Sequence, residues 1–184
     1  MEMMMAVFDT FTPFVLIAFA LGMDAFSVSL SIGLMKIRLR MVLFFILVVG
    51  LLHIVMPLIG ITLGEIISDQ LGVIANIISG WLLIMIGVQM ILATVFEKDM
   101  KKYVNYSGLA ALALTVSLDS FSVGLSMGMG GISQFVVVLL IGLMSVLLAT
   151  LGMILSRKGI NLFGQYSEAI GGLILLGLGI QMVM

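Results

Sequence analysis

Runs of about 20 consecutive apolar residues, each long enough to cross the hydrocarbon core as a helix, fill almost the whole of this chain. Six can be counted, over residues 12–35, 41–63, 71–95, 107–129, 133–156 and 165–184. The second and third are parted only by the polar break Gly64-Glu-Ile-Ile-Ser-Asp-Gln70, and the fourth and fifth by Gly130 and Gly131. The runs are continuous rather than alternating, which excludes a transmembrane β-barrel. Only 9% of the 184 residues are charged, and mean hydropathy is +1.37. A soluble domain carries about a quarter charged residues, so there is too little polar material here to cover a water-facing surface. The expected fold is an all-α membrane protein whose immediate partner is the lipid bilayer, with no role for nucleic acid. Glu2 and Asp9, without a basic segment, speak against a cleavable signal peptide.

Charge sets the orientation. Lys36, Arg38 and Arg40 follow the first run, Lys98, Lys101 and Lys102 the third, and Arg157 and Lys158 the fifth, which accounts for all eight basic residues. The opposite side carries Glu2, Asp9, Glu65 and Asp69 and no Lys or Arg. The positive-inside rule then makes the odd-numbered loops cytoplasmic and places both termini outside. Merging or losing one run would scramble that split.

The chain is also duplicated. Met23-Asp-Ala-Phe-Ser-Val-Ser-Leu-Ser-Ile-Gly33 recurs as Leu118-Asp-Ser-Phe-Ser-Val-Gly-Leu-Ser-Met-Gly128, identical at seven of the eleven positions. Gly80, Gly87 and Gln89 likewise align with Gly172, Gly179 and Gln181. The offset is 95 residues at the aspartates and 92 at these glycines. Repeat one then covers 1–96, a charged linker 97–106, and repeat two 107–184, all within one membrane domain. Three spans per copy is an odd number, so the second copy enters the bilayer from the opposite side. Inverted repeats of this kind are common among alternating-access transporters.

Asp24 and Asp119 fall inside the duplicated segments. A carboxylate within a membrane costs several kcal/mol unless it meets a cavity, a cation or a partner. On a helix, Ser27 and Ser31 share the face of Asp24, while Ser122 and Ser126 share that of Asp119, with Thr115 one turn earlier. Two such faces together offer hard oxygen donors of the kind preferred by Mg²⁺, Ca²⁺ and Mn²⁺. A bound divalent cation would neutralise both carboxylates. The bland alternative is a pair of protonated aspartates serving helix packing, with serines and glycines that allow close approach. His53 lies one turn before Pro57, where a helix is expected to kink and free the His53 carbonyl; it is a further candidate for an ion path. Asn76 and Glu168 are repeat equivalents, the latter an acidic candidate ligand at the start of its run. Gln89 and Gln181, at the far ends of the same runs, are expected to reach headgroups. The seventeen methionines are scattered without a repeated spacing, and with no cysteine present thiolate chemistry is excluded.

Ala20-Leu-Gly-Met-Asp-Ala-Phe26, Pro57-Leu-Ile-Gly60, Ser117-Leu-Asp-Ser120 and Glu168-Ala-Ile-Gly-Gly-Leu173 with Gly177, Gly179 and Gln181 resemble the MntP family of bacterial manganese exporters, within the lysine-exporter-like superfamily. The resemblance covers essentially the whole chain. It implies Mn²⁺ efflux across the plasma membrane, with Mn²⁺ as substrate and no resident cofactor. It also implies that Asp24 and Asp119 are the motif aspartates and that Glu168 is an acidic position of the last span. Some relatives carry an acidic residue where this chain has His53, so that its role as ligand, proton carrier or neutral replacement stays open. A carrier for another divalent cation and a passive cation channel are the competing readings, and a homo-oligomer is compatible with either. An intramembrane aspartyl protease also uses two membrane aspartates, but its Gly-x-Gly-Asp signature is absent. Without a P-loop, coupling to protons or membrane potential is the expected energy source.

Overall fold

In the computed structural model the described residues are 2–35, 37–71, 74–93, 105–131, 135–157 and 164–183, with side chains at 2–11, 71, 76, 93, 157 and 164–168 outside the description. Those residues form six helices: α1 (Glu2–Leu34), α2 (Leu39–Leu71), α3 (Ile74–Ala93), α4 (Tyr106–Met129), α5 (Phe135–Arg157) and α6 (Gly164–Val183). Four contain stretches long and apolar enough to cross a membrane, namely Thr12–Leu34, Leu39–Gln70, Tyr106–Met129 and Phe135–Ser156, and shorter apolar stretches run over Ile77–Leu92 and Ala169–Val183.

One boundary differs from expectation. Gly64–Gln70 is no break: α2 continues through it to Leu71. Within it the Ser68 hydroxyl donates to the Met129 carbonyl of α4 at 3.2 Å. The helix also runs without interruption past Pro57. The glycine break at the end of α4 is real. Gly130 N–H bonds to Ser126 O at 2.9 Å, and Gly131 turns with φ of 73°, in the left-handed region that glycine adopts without penalty. At its other end α4 starts at Asn105, whose side chain accepts the Gly108 N–H at 2.7 Å, satisfying a free amine of the first turn. The charged linker lies outside the described residues except for Asn105 and Tyr106.

Helices pack chiefly across the sequence rather than along it. The main pairs are α2 with α4, α1 with α5 and α3 with α6, followed by α1 with α6, α2 with α5 and α3 with α4. The α2–α4 pair runs parallel, since Phe44 meets Tyr106 edge-to-face at 5.3 Å, His53 meets Ser117, and Ser68 meets Met129. Glycines let these backbones touch. A Cβ on Gly60 would strike Phe121 O and lie 2.7 Å from Leu125 N, while one on Gly152 would lie 3.2 Å from Leu30 N and against Phe26 O. These two contacts are each other's repeat counterparts. In α3 and α6, which run antiparallel, Gly87 faces Gly172 and Gly80 faces Gly179.

The outward faces of α2 and α5 are stripes of large aliphatic side chains. Leu47 is 70% exposed and Leu143 63%, and Leu43, Leu51, Ile59, Leu139, Leu147 and Leu151 continue the two rows. Water-soluble monomers do not expose contiguous apolar surface on this scale, whereas lipid covers it at no cost.

Candidate functional site

The interior divides into two apolar clusters with polar groups between them. One cluster holds Phe14, Ile17, Ala18, Ala20 and Leu21 of α1, Ile61 of α2, Leu83, Ile86 and Met90 of α3, Val123 and Met127 of α4, Val137, Val138 and Ile141 of α5, and Leu175 of α6. The other holds Ala25, Val28 and Ile32 of α1, Val42, Phe45, Ile46 and Val49 of α2, Leu109, Leu112, Ala113 and Val116 of α4, and Ala149 and Met153 of α5. Where α1 passes from one to the other it carries Asp24. At the same transition α2 carries His53, α4 carries Ser117, Asp119 and Ser120, and α5 carries Ser145. Much of the buried polarity therefore falls in one layer between the two clusters, while Ser29, Ser79, Ser126 and Ser156 are buried elsewhere.

Asp24 is 5% exposed and Ser27 6%, and both are engaged by other groups of the protein. Asp119 is half-buried; its Oδ1 accepts from Gln89 Nε2 of α3 at 3.5 Å. Gln89, though exposed, thus partners a carboxylate of a neighbouring helix rather than the expected headgroups. Its repetition as Gln181, in register with the glycines, was the available signal for a shared role. The hydroxyls on the aspartate faces mostly bond along their own helices: Ser31 to Ser27 O at 3.1 Å, Ser122 to Leu118 O at 3.3 Å, and Thr115 to Ala111 O at 3.0 Å. Ser126 is different, donating to Ser79 O of α3 at 2.8 Å. Each of these oxygens keeps lone pairs for a cation. The Asn76 and Glu168 side chains lie outside the described residues, although both positions are helical, in α3 and α6. Among the described residues no group of three or more His, Cys, Asp or Glu side chains comes together as a metal centre.

His53 is fully buried. Its Nδ1 lies 3.0 Å from Val49 O and 3.1 Å from Ser117 Oγ, while Ser117 Oγ donates to Ala113 O at 2.8 Å. A carbonyl only accepts, so the proton belongs on Nδ1, shared between Val49 O and Ser117 Oγ. In the neutral imidazole Nε2 then carries a lone pair, and it has no partner among the described residues. The Oγ atoms of Ser120 and Ser145 are buried in the same layer, likewise without a partner among the described residues. The repeat counterparts of His53 and Ser117 are Ser145 and Gly22, so this polar pair exists on one side only. His53→Ala removes a buried ring and the α2–α4 bond together. The expected loss is about 2–5 kcal/mol, the range of large-to-small core truncations, read as a lowered thermal midpoint of the purified protein.

A helical bundle with outward leucine stripes and a polar layer between two apolar clusters defines a multi-pass membrane protein. Comparison with known proteins names its kind. The family model described as "Putative manganese efflux pump" matches residues 36–183. A Bacillus pumilus protein named "Putative manganese efflux pump MntP" is 44% identical over 170 residues, covering 91% of this chain and 92% of that one. A protein of the same name from Bacillus cereus strain G9842 is 40% identical over 177 residues, covering 96% and 97%. The chain belongs to the MntP family. No solved structure matches it.

Proposed function

We propose that this protein exports Mn²⁺ from the bacterial cytoplasm across the plasma membrane, by alternating access between two inverted three-helix repeats. The observation that carries the cargo is the near full-length similarity to proteins named manganese efflux pumps. The repeat reading draws support from the packing, because exchanging α1 with α4, α2 with α5 and α3 with α6 leaves the list of main helix pairs unchanged. All six helices are read as spans, with both termini outside. The protein acts as a carrier and not as an enzyme.

Asp24 and Asp119 are the principal metal ligands, assisted by Ser27, Ser122 and Glu168. His53, Asn76, Ser31, Ser126 and Thr115 line the ion path. Asp24 is buried and Asp119 half-buried, an inequality that suits a site open to one face at a time. Cells lacking the gene should accumulate manganese and recover when this chain is supplied. An unchanged manganese content in the deletion strain would sink the reading.

Export needs an energy source, and a proton can compete with the metal for a carboxylate. In everted vesicles, an imposed pH gradient that offers protons on the side where metal is released should accelerate manganese flux. Flux indifferent to the gradient would refute proton coupling.

A further inference from the structure

Sequence repeats usually predict repeated contacts, and at one interface they do not. Ser79 in α3 and Gly171 in α6 are repeat counterparts. The Ser79 carbonyl is held by Ser126 of α4 at 2.8 Å. By symmetry Gly171 should rest on Ser31 of α1. Instead a Cβ on Gly171 would lie 2.7 Å from Ala20 O, eleven residues before Ser31, and Ser31 bonds only within α1 among the described residues. Eleven residues of helix span about 16 Å. The contacts within the α3–α6 pair keep the symmetry, with Gly87 against Gly172 and Gly80 against Gly179. So do those among α1, α2, α4 and α5, where Gly60 on Phe121 matches Gly152 on Phe26. Among these contacts the break in register falls at the seams between the two bodies.

We propose that α3 and α6 move as one unit, sliding along a fixed frame of α1, α2, α4 and α5, and that the structure captures one end of the stroke. The proposal rests on the two-repeat carrier reading. Because α3 and α6 are antiparallel, displacing them together shifts their two seams in opposite senses along the chain. The captured state is then about 8 Å from the symmetric midpoint and about 16 Å from its mirror image. Exposure follows the same asymmetry. Thr115 is exposed and Leu118 is 50% exposed, while their counterparts Ala20 and Met23 are fully buried and half-buried. Asp119 is half-buried, whereas Asp24 is buried. The uncovered part of α4 leads from Asp119 to the end of the helix at Tyr106, the cytoplasmic end in the proposed orientation. In the mirror state Ser79 would lie beside Thr115, Asp119 would be covered, and Asp24 would be uncovered toward the other side. The sliding thus hands access from one aspartate to the other.

The chain contains no cysteine, so paired cysteines can be introduced without background. Ser79→Cys with Ser126→Cys probes the captured register, and Ser79→Cys with Thr115→Cys probes its mirror image. In membranes treated with an oxidant, both pairs are expected to cross-link. Complete cross-linking of the first pair with none of the second would overturn the proposal. Should either variant fail to accumulate, spin labels on the exposed positions Trp81 and Leu143 are expected to give two distance populations. A reference pair on Leu47 and Leu143, both in the frame, should give one. A single population for Trp81 and Leu143, with and without Mn²⁺, would equally overturn it. Manganese efflux by the unmodified chain in the same membranes is read separately. Its absence would remove the export reading while the cross-links still report the motion.

Discussion

Cells that depend on Asp119→Asn should accumulate manganese to the level of the deletion strain, and Asp24→Asn should do the same. Asparagine keeps the size of the side chain and an oxygen for Gln89, which donates to Asp119 at 3.5 Å. What it removes is the charge that a divalent cation needs on leaving water. Losing one partner of a buried charged pair costs about 2–5 kcal/mol, and each 1.4 kcal/mol is tenfold in affinity. Export at working manganese levels is therefore expected to fall roughly 30-fold or more. The double variant should be little worse than either single one, because groups acting as a unit are strongly non-additive. Cellular manganese content, measured beside protein abundance in the membrane, checks this. Wild-type export by either single variant would remove that aspartate from the transport site.

The second large effect is structural. Gly124→Leu should eliminate folded protein. A Cβ on Gly124 would sit 2.6 Å from Pro57 Cα and against Pro57 O, and Gly128 meets Ile61 in the same way one turn later. These obstacles are backbone atoms of a neighbouring helix, so no side-chain rotation relieves them. Ordinary overpacking costs about 1–3 kcal/mol; here α2 and α4 must separate, and the His53–Ser117 bond opens with them. Loss of the monodisperse peak on size-exclusion chromatography is the expected readout. Gly177→Ala, at a glycine with nothing within 4 Å of the added Cβ, should leave that peak unchanged.

Much of this architecture is legible from residue order. Alternation of basic loops with apolar runs locates the helices, and the duplicated aspartate segment marks the polar layer between the two apolar clusters. The end of α2 is not legible. Glu65, Ser68 and Asp69 resemble a loop in isolation, and the contact of Ser68 with the Met129 carbonyl of another helix is not visible in the local sequence. Gln89 is misread for a similar reason. Position along a helix suggests headgroups, whereas its partner is a carboxylate thirty residues away in sequence. The pairing of His53 with Ser117 depends on the parallel course of α2 and α4, which no local pattern encodes. The slip of α3 and α6 is hidden more deeply, since two matched repeats predict matched seams. Glu168 and Asn76 stand as sequence candidates whose side chains lie outside the described residues.

The pairing of α1 with α5 and of α2 with α4 has a consequence for biogenesis. Helices usually settle against neighbours that emerge just before or after them, but here the first repeat reaches the membrane before its principal partners have been synthesised. Until α4 and α5 arrive, the glycine faces of α1 and α2 and the charge of Asp24 have only lipid or the insertion machinery to lean on. Non-local contacts of this kind form late and leave sticky surfaces waiting. The bundle must therefore close in one late, cooperative step, with the second half of the chain serving as the template on which the first half folds.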